Sequence, residues 1–330
     1  MLVDSFDRTL TYLRVSVTNR CNLRCAYCTP PEGPSYRAEE DFLGFEEITR
    51  IVGAAVRLGM RKIRITGGEP LVRPGIERLV AAVGRIEGLR TLALSTNGVL
   101  LADKARALYE AGVQHINMSL DTLRPERFRR ITLEDRHAQA LRGLAAAEAL
   151  PFDKIKLNVV ISRGFNEDEL LDFVRLTFER LLTVRFIELM PVGRTGWGTA
   201  EKFVPAREMK ERIEALGRLQ PAPDSLGEAA GPARVYRLPG ATGLIGFIPA
   251  VSEAFCDRCN RLRLTPDGKL RSCLISGEEV DLRPALRSGA GEGALEERFR
   301  QAARQKPEKH QMDRNTQSHP LPQLMSQIGG

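Results

Sequence analysis

No stretch of this 330-residue chain is apolar for long enough to cross a bilayer. A helical span needs about 20 predominantly apolar residues, and even Ile51 to Met60 is broken by Arg57. The segment Met1 to Thr11 lacks the apolar core of a secretion signal. A soluble, cytoplasmic protein without a membrane partner is expected. No phosphate loop is present either: Gly193 to Gly198 reads GRTGWG, but no Lys-Ser or Lys-Thr follows its last glycine. Histidine is scarce, with four residues, His115, His137, His310 and His319, all far in sequence from the first cysteines. No cysteine is left over, because the six fall into two groups of three: Cys21, Cys25, Cys28 and Cys256, Cys259, Cys273. Clustered cysteines in a long chain without a secretion signal point to metal ligation rather than disulfides.

What is present is a repeating pattern. Short β-branched runs, Leu13 to Val17, Lys62 to Thr66, Thr91 to Ser95, His115 to Leu120, Ile155 to Ile161 and Thr183 to Leu189, alternate with amphipathic stretches such as Phe45 to Leu58, Ala102 to Ala111 and His137 to Ala149. Six such units predict an α/β fold, an incomplete (β/α)6 TIM-like barrel. A Gly- and Pro-rich change after Pro191 sets a boundary, so residues 1–195 are expected to form the barrel and 196–330 a smaller α+β extension. The tail from Gln305 onward is polar and reads as disordered. The formal charge of +7 suits nucleic acid or anionic metabolites without choosing between them.

Polar signatures follow the predicted strands: the first cysteine triad, Gly67-Gly68-Glu69-Pro70, Ser95-Thr96-Asn97-Gly98, Ser119-Leu120-Asp121, and Glu188 to Met190. Each alone is a turn; together they mark one mouth at the C-terminal ends of the strands. Iron–sulfur clusters are usually held by four thiolates, so three within eight residues imply one iron open to an outside ligand. Zinc is the rival, but its structural sites close with four ligands. In the second triad, Cys256 and Cys259 form a CxxC, and the turn Thr265-Pro266-Asp267-Gly268 returns Cys273 towards Cys259. Period-two spacing puts Cys259, Arg261 and Arg263 on one face and Leu262 and Leu264 on the other. A zinc hairpin with solvated arginines is the alternative there; three ligands rather than four favour a second cluster with an open iron. Arg14, Lys62, Arg64, Lys156 and Arg185 are charges inside apolar strands. They call for anionic partners, or for ion pairs with Glu188 or Glu69.

Cys21-Asn-Leu-Arg-Cys25-Ala-Tyr-Cys28 together with Gly67-Gly68-Glu69-Pro70 resembles the signature of the radical S-adenosylmethionine superfamily. The resemblance implies a [4Fe-4S] cluster on the first triad, S-adenosylmethionine on its open iron, and cofactor contacts from Tyr27, Gly68, Ser119 and Met190. End to end, with FCDRCNRLRLTPDGKLRSCL from Phe255 to Leu274 and the terminal Gly329-Gly330, the chain is similar to the GTP 3′,8-cyclase family that begins molybdenum cofactor biosynthesis. That similarity implies a second [4Fe-4S] cluster on Cys256, Cys259 and Cys273, with the guanine of GTP at its open iron. Phosphate and ribose contacts would come from Arg14, Lys62, Arg64, Ser95, Lys156, Arg185, Arg261 and Arg263. Gly329 and Gly330 would reach the barrel and support activity. Thr29 departs from the methionine the family often carries there. An external electron donor, a downstream cyclic pyranopterin monophosphate synthase, no nucleic acid and a compatible homodimer complete the expectation. A peptide-modifying radical enzyme and a non-enzymatic electron-transfer or nucleic-acid-binding protein are the competing readings.

Overall fold

Strands that alternate apolar and polar residues need cover on one face only, and helices supply it here. The computed structural model of the chain describes residues 1–312 except 31, 34, 35, 37, 194, 223–230, 276, 277, 290 and 311. Six parallel strands, β1 (Tyr12–Ser16), β2 (Lys62–Thr66), β3 (Thr91–Thr96), β4 (His115–Ser119), β5 (Lys154–Ile161) and β6 (Thr183–Glu188), pair in sequence order. Between and after them run α1 (Phe45–Arg57), α2 (Ile76–Gly84), α3 (Leu101–Glu110), α4 (Pro125–Thr132), α5 (His137–Glu148) and α6 (Leu170–Glu179). Leu13, Val15, Ile63, Ile65, Leu94, Ile116, Leu157, Val184 and Phe186 turn outward onto buried helical residues such as Ile51, Val80, Leu108, Leu144 and Phe173, and all join one core.

Beyond α6 come α7 (Ala206–Glu214), β7 (Gln220–Pro221), β8 (Arg234–Arg237), β9 (Leu244–Ile248), β10 (Arg261–Leu264), β11 (Lys269–Arg271), β12 (Glu279–Asp281), α8 (Arg283–Arg287) and α9 (Glu292–Arg304). These strands do not build a sheet of their own. β9 lies parallel to β6, and β10 lies parallel to β1, so the C-terminal third extends both edges of the same sheet. Among the described residues the order is β12-β11-β10-β1-β2-β3-β4-β5-β6-β9-β8-β7, an open, barrel-like arrangement. The expected disordered tail needs correction at its start: Lys306 is 3% exposed and Met312 is 6% exposed, so the chain remains packed after α9.

One close approach makes a test of this packing. A Cβ at Gly143 in α5 would sit 2.1 Å from the Gly98 carbonyl oxygen, on the loop that leaves β3. That neighbour is backbone and cannot rotate away. Gly143→Ala is expected to cost about 3 kcal/mol in urea unfolding of the metal-free protein; a change under about 0.5 kcal/mol would show that α5 slides freely.

Candidate functional site

The first cysteine loop is held by main-chain bonds at the C-terminal mouth of the parallel strands. Gly68 N donates to Thr18 O at 2.7 Å and Glu69 N to Arg20 O at 2.8 Å, so the glycine segment runs alongside the residues leading into Cys21. A Cβ at Gly68 would meet Arg20 O at 2.3 Å, which leaves room only for glycine. From the other side, Arg24 N and Ala26 N donate to the carbonyls of Thr132 and Ile131 at the end of α4, at 2.9 and 2.8 Å. Cys28 N and Thr29 N both donate to Cys25 O at 2.8 Å and close the turn that carries the triad.

Around that loop, buried side chains tie neighbouring strand ends together. Glu69 accepts from Thr96 Oγ1 at 2.8 Å, Asn97 N at 2.6 Å and Leu71 N at 3.0 Å. Asn97 Nδ2 in turn donates to Asn22 Oδ1 at 2.8 Å and Cys21 Sγ at 3.7 Å. Asp121, after β4, accepts from the Tyr27 hydroxyl at 2.7 Å and from Val160 N at 2.8 Å. Glu188 accepts from Ala206 N at 2.7 Å, and from Val251 N and Ser252 N at 2.8 Å each. Glu69 and Glu188 are therefore occupied by backbone and hydroxyl donors from neighbouring strand ends and loops. Burial outweighs those donors at Glu69, whose carboxyl rises to about 7, and lifts Asp121 to about 6.

The three thiols of this loop feel one another. Cys21 is pushed up to about 12 by burial first, then by Glu69 and Cys28; Cys25 goes well above the thiol range through burial, then Cys28 and Asp121. A metal that replaces those protons removes the cost. No three His, Cys, Asp or Glu side chains among the described residues converge as a single metal ion would require. The buried Asn19 side chain, unpartnered at both polar atoms, lies two residues before Cys21. Three mutually interacting thiols, an idle buried amide and a glycine-floored wall fit an iron–sulfur cluster with a polar ligand beside it. Ser119 is exposed at the end of β4, while Tyr27, Thr29 and Met190 are half-buried.

From the starts of the strands to their middles, the same sheet carries cations. Cross-strand register aligns Arg271, Arg263, Arg14 and Arg64 in one row, and Arg261, Tyr12 and Lys62 in the next. Lys62 Nζ and the Arg64 guanidinium lie over the Tyr12 ring at 5.1 and 5.6 Å. Burial works to raise the Tyr12 phenol, but Arg64, Arg14, Lys62 and Arg261 draw it down to about 7. Arg14 falls to about 10 through burial and the charges of Arg64 and Arg261. Arg263 falls well below the guanidinium range through burial, then Arg14 and Arg261. Further round the sheet Arg64 reaches Ser95 Oγ at 3.4 Å, and Arg185 donates to Asn117 Oδ1 at 2.7 Å. Lys156 and Arg185 line a cavity of about 180 Å³ at the starts of β5, β6 and β9. His115 is held down at about 3 by burial, Lys156 and Lys62.

The second triad borders this end. Thr11 N and Tyr12 N donate to Asn260 O at 3.1 and 3.2 Å, joining the segment after Cys259 to the start of β1. The β10–β11 hairpin pairs as its turn implies, with Leu262 and Leu264 buried in the core. The Cys259 thiol is drawn down to about 6: burial opposes, while Arg261 and Lys306 stabilise the thiolate. Both Cys259 and Cys273 act on the Arg263 charge, so the three lie within electrostatic reach. The donor set of half-buried cysteines fits a metal cluster here too. Gly329 and Gly330 lie outside the described residues.

Sequence reasoning did not single out Tyr12, Asn19, Lys306 or Arg8. Tyr12 had a signal, since it stands two residues before Arg14 and shares its face. Lys306 had none, because nothing local marks a buried lysine in a polar segment.

The parallel sheet with its cysteine mouth is the radical SAM fold: residues 15–177 match the Radical SAM superfamily and residues 182–312 match Molybdenum Cofactor Synthesis C. SuiB of Streptococcus suis, solved with S-adenosylmethionine, shares that fold at a TM-score of 0.58 with 14% identity, covering 83% of this chain and 63% of that one. This chain belongs to the GTP 3′,8-cyclase family: it is 48% identical to the GTP 3′,8-cyclase of Pelotomaculum thermopropionicum over 99% of both chains. It is also 48% identical to that of Geobacter sulfurreducens, over 100% of this chain and 99% of the relative. Among the described residues no helix is long and apolar enough to cross a membrane.

Proposed function

We propose that this protein is a radical SAM GTP 3′,8-cyclase, converting GTP to (8S)-3′,8-cyclo-7,8-dihydroguanosine 5′-triphosphate at the first step of molybdenum cofactor biosynthesis. The observation that carries the proposal is the pair of cross-strand rows of buried cations around Tyr12, bordered by the second cysteine triad. A triphosphate neutralises those rows, and their burial is then favourable rather than costly.

In this reading residues 1–195 form the radical SAM barrel, and residues 196–330 the extension that carries the second [4Fe-4S] cluster and the diglycine tail. Cys21, Cys25 and Cys28 would hold the first cluster, which with S-adenosylmethionine would supply the radical chemistry for hydrogen abstraction from the ribose. Tyr27, Gly68, Ser119 and Met190 contact the nucleoside cofactor. Arg14, Lys62, Arg64, Ser95, Lys156, Arg185, Arg261 and Arg263 hold the triphosphate and ribose, and Cys256, Cys259 and Cys273 bind the cluster that meets the guanine. Orientation is the main task of these residues, since the abstracted hydrogen and guanine C8 must both lie within reach of their partners. Gly329 and Gly330 support activity at the barrel. An external donor supplies the electron, and a cyclic pyranopterin monophosphate synthase takes the product.

The test is anaerobic turnover of the iron-loaded protein with dithionite, S-adenosylmethionine and GTP. Formation of 5′-deoxyadenosine and a cyclic guanine nucleotide in step, with about eight irons per chain, is the expected result. Cofactor cleavage that GTP neither stimulates nor converts to product would reject GTP as the substrate.

A further inference from the structure

Two buried cations that the cyclisation reading does not use meet at the second cysteine triad. Lys306 follows α9 and is 3% exposed. Its Nζ donates to Ser272 O at 2.6 Å, Arg261 O at 3.0 Å and Cys259 Sγ at 3.5 Å. An ammonium has three donors, so each has an acceptor. Arg8, from the turn before β1, is 9% exposed and anchored by Asp4 at 2.7 Å. Its Nη1 donates to Cys256 O at 2.6 Å and Glu308 O at 2.8 Å, and its Nη2 to Pro307 O at 2.7 Å.

The bonds are distributed over the whole triad. Arg8 holds the carbonyl of Cys256, Lys306 holds the sulfur of Cys259, and Lys306 also holds the carbonyl next to Cys273. Each cation spans segments distant in sequence, Arg8 joining the N-terminal turn to residues 307–308 and Lys306 joining both hairpin strands. The first triad has a different arrangement: Leu23 N and the neutral amide of Asn97 donate to Cys21 Sγ. Core packing alone does not account for Lys306, since burying an ammonium is expensive and an aliphatic residue would fill the same space.

We propose that Lys306 and Arg8 form a two-cation clamp that makes the segment after α9 part of the second cluster site. Lys306 is the positioning residue: its ammonium orients the Cys259 sulfur and stays as a charged hydrogen-bond donor to that ligand. Arg8 fixes the segment that carries Lys306 to the Cys256 loop. Hydrogen bonds to ligand sulfurs raise the reduction potential of an iron–sulfur cluster, so the clamp favours the reduced form at this end of the barrel. The inference rests on the reading that the second triad holds a cluster.

Cys25→Ala in the full chain isolates the second site. Iron content, loss of iron to a chelator and an EPR-monitored reductive titration are then compared with and without Lys306→Met. The expected result is about four irons per chain in Cys25→Ala. Adding Lys306→Met speeds iron loss about tenfold and moves the midpoint to more negative potential. Lys306→Gln, which keeps two donors and drops the charge, gives a smaller shift in the same direction. In a chain with Cys25 intact, Lys306→Met should leave cofactor cleavage at the first triad in place, which reports that the barrel is folded. Equal iron retention and an equal midpoint with Lys306→Met overturn the clamp alone. Absence of iron in Cys25→Ala with Lys306 present overturns the second-cluster reading and the clamp with it.

Discussion

Replacing Cys25 by alanine is expected to bring 5′-deoxyadenosine formation to background and to halve bound iron, from about eight to about four per chain. The loop that carries Cys25 should survive the change. Its shape is set by main-chain bonds from Arg24 and Ala26 to the end of α4, and by the carbonyl of residue 25 itself accepting from Cys28 N and Thr29 N. Alanine keeps all of these. What disappears is the thiol between Cys21 and Cys28, and with it one of three ligands. Cys273→Ala removes a ligand at the other end and should give the complementary result: cleavage of the cofactor continues, but no cyclic nucleotide forms. Both products are read by anaerobic chromatography. Retained cyclisation in Cys273→Ala would sink the role of the second triad in holding the substrate, and retained cleavage in Cys25→Ala would sink the assignment of the first.

The contrast between those ends shows what the sequence made legible. Leu13 to Val17 alternates cleanly and forms β1 within one residue of expectation; Lys62–Thr66 matches as predicted. Period-two patterning reports a half-buried strand directly, and the cations of β2 share a face because they are two apart. The hairpin around Pro266 and Gly268 was likewise written in its turn residues. Partners of a strand were not. That β10 lies beside β1, and β9 beside β6, depends on pairings across most of the chain, which no local pattern encodes. α4 was missed because Pro125–Thr132 is short and strongly charged, yet its terminal carbonyls hold the cysteine loop. Glu69 and Glu188 were open to reading as salt-bridge partners of the strand cations; in three dimensions they tie strand ends to loops at the mouth. The buried segment at Lys306 was read as a disordered tail, since one lysine among polar residues looks the same whether solvated or clamped.

Arg263→Met separates a substrate site from a structural ion pair, because the two predict opposite signs for stability. Arg263 is 6% exposed, registers against Arg14 on one side and Arg271 on the other, and is driven below its usual range by burial and by Arg14 and Arg261. In the metal-free, nucleotide-free protein, burial and the repulsion of Arg14 and Arg261 outweigh the attraction of Cys259 and Cys273 at this cation, so trading it for a side chain of similar length should raise unfolding stability by about 1 kcal/mol. GTP affinity should fall by about 3 kcal/mol, roughly a hundredfold or more, because a forked donor to an anion is lost from a dry site. Arg271 gives the control from the same row. It is 1% exposed and pairs with a carboxylate, Glu279, at 2.5 Å. Arg271→Met should therefore lower stability by about 2 kcal/mol, since it removes the buried half of an ion pair and leaves Glu279 only the more exposed Lys269 at 2.9 Å. Urea unfolding and GTP titration of the two variants decide the matter. If Arg263→Met loses stability and keeps its affinity, the cation is structural; if stability and affinity move in opposite directions, the row from Arg263 to Arg64 was built to be completed by the triphosphate.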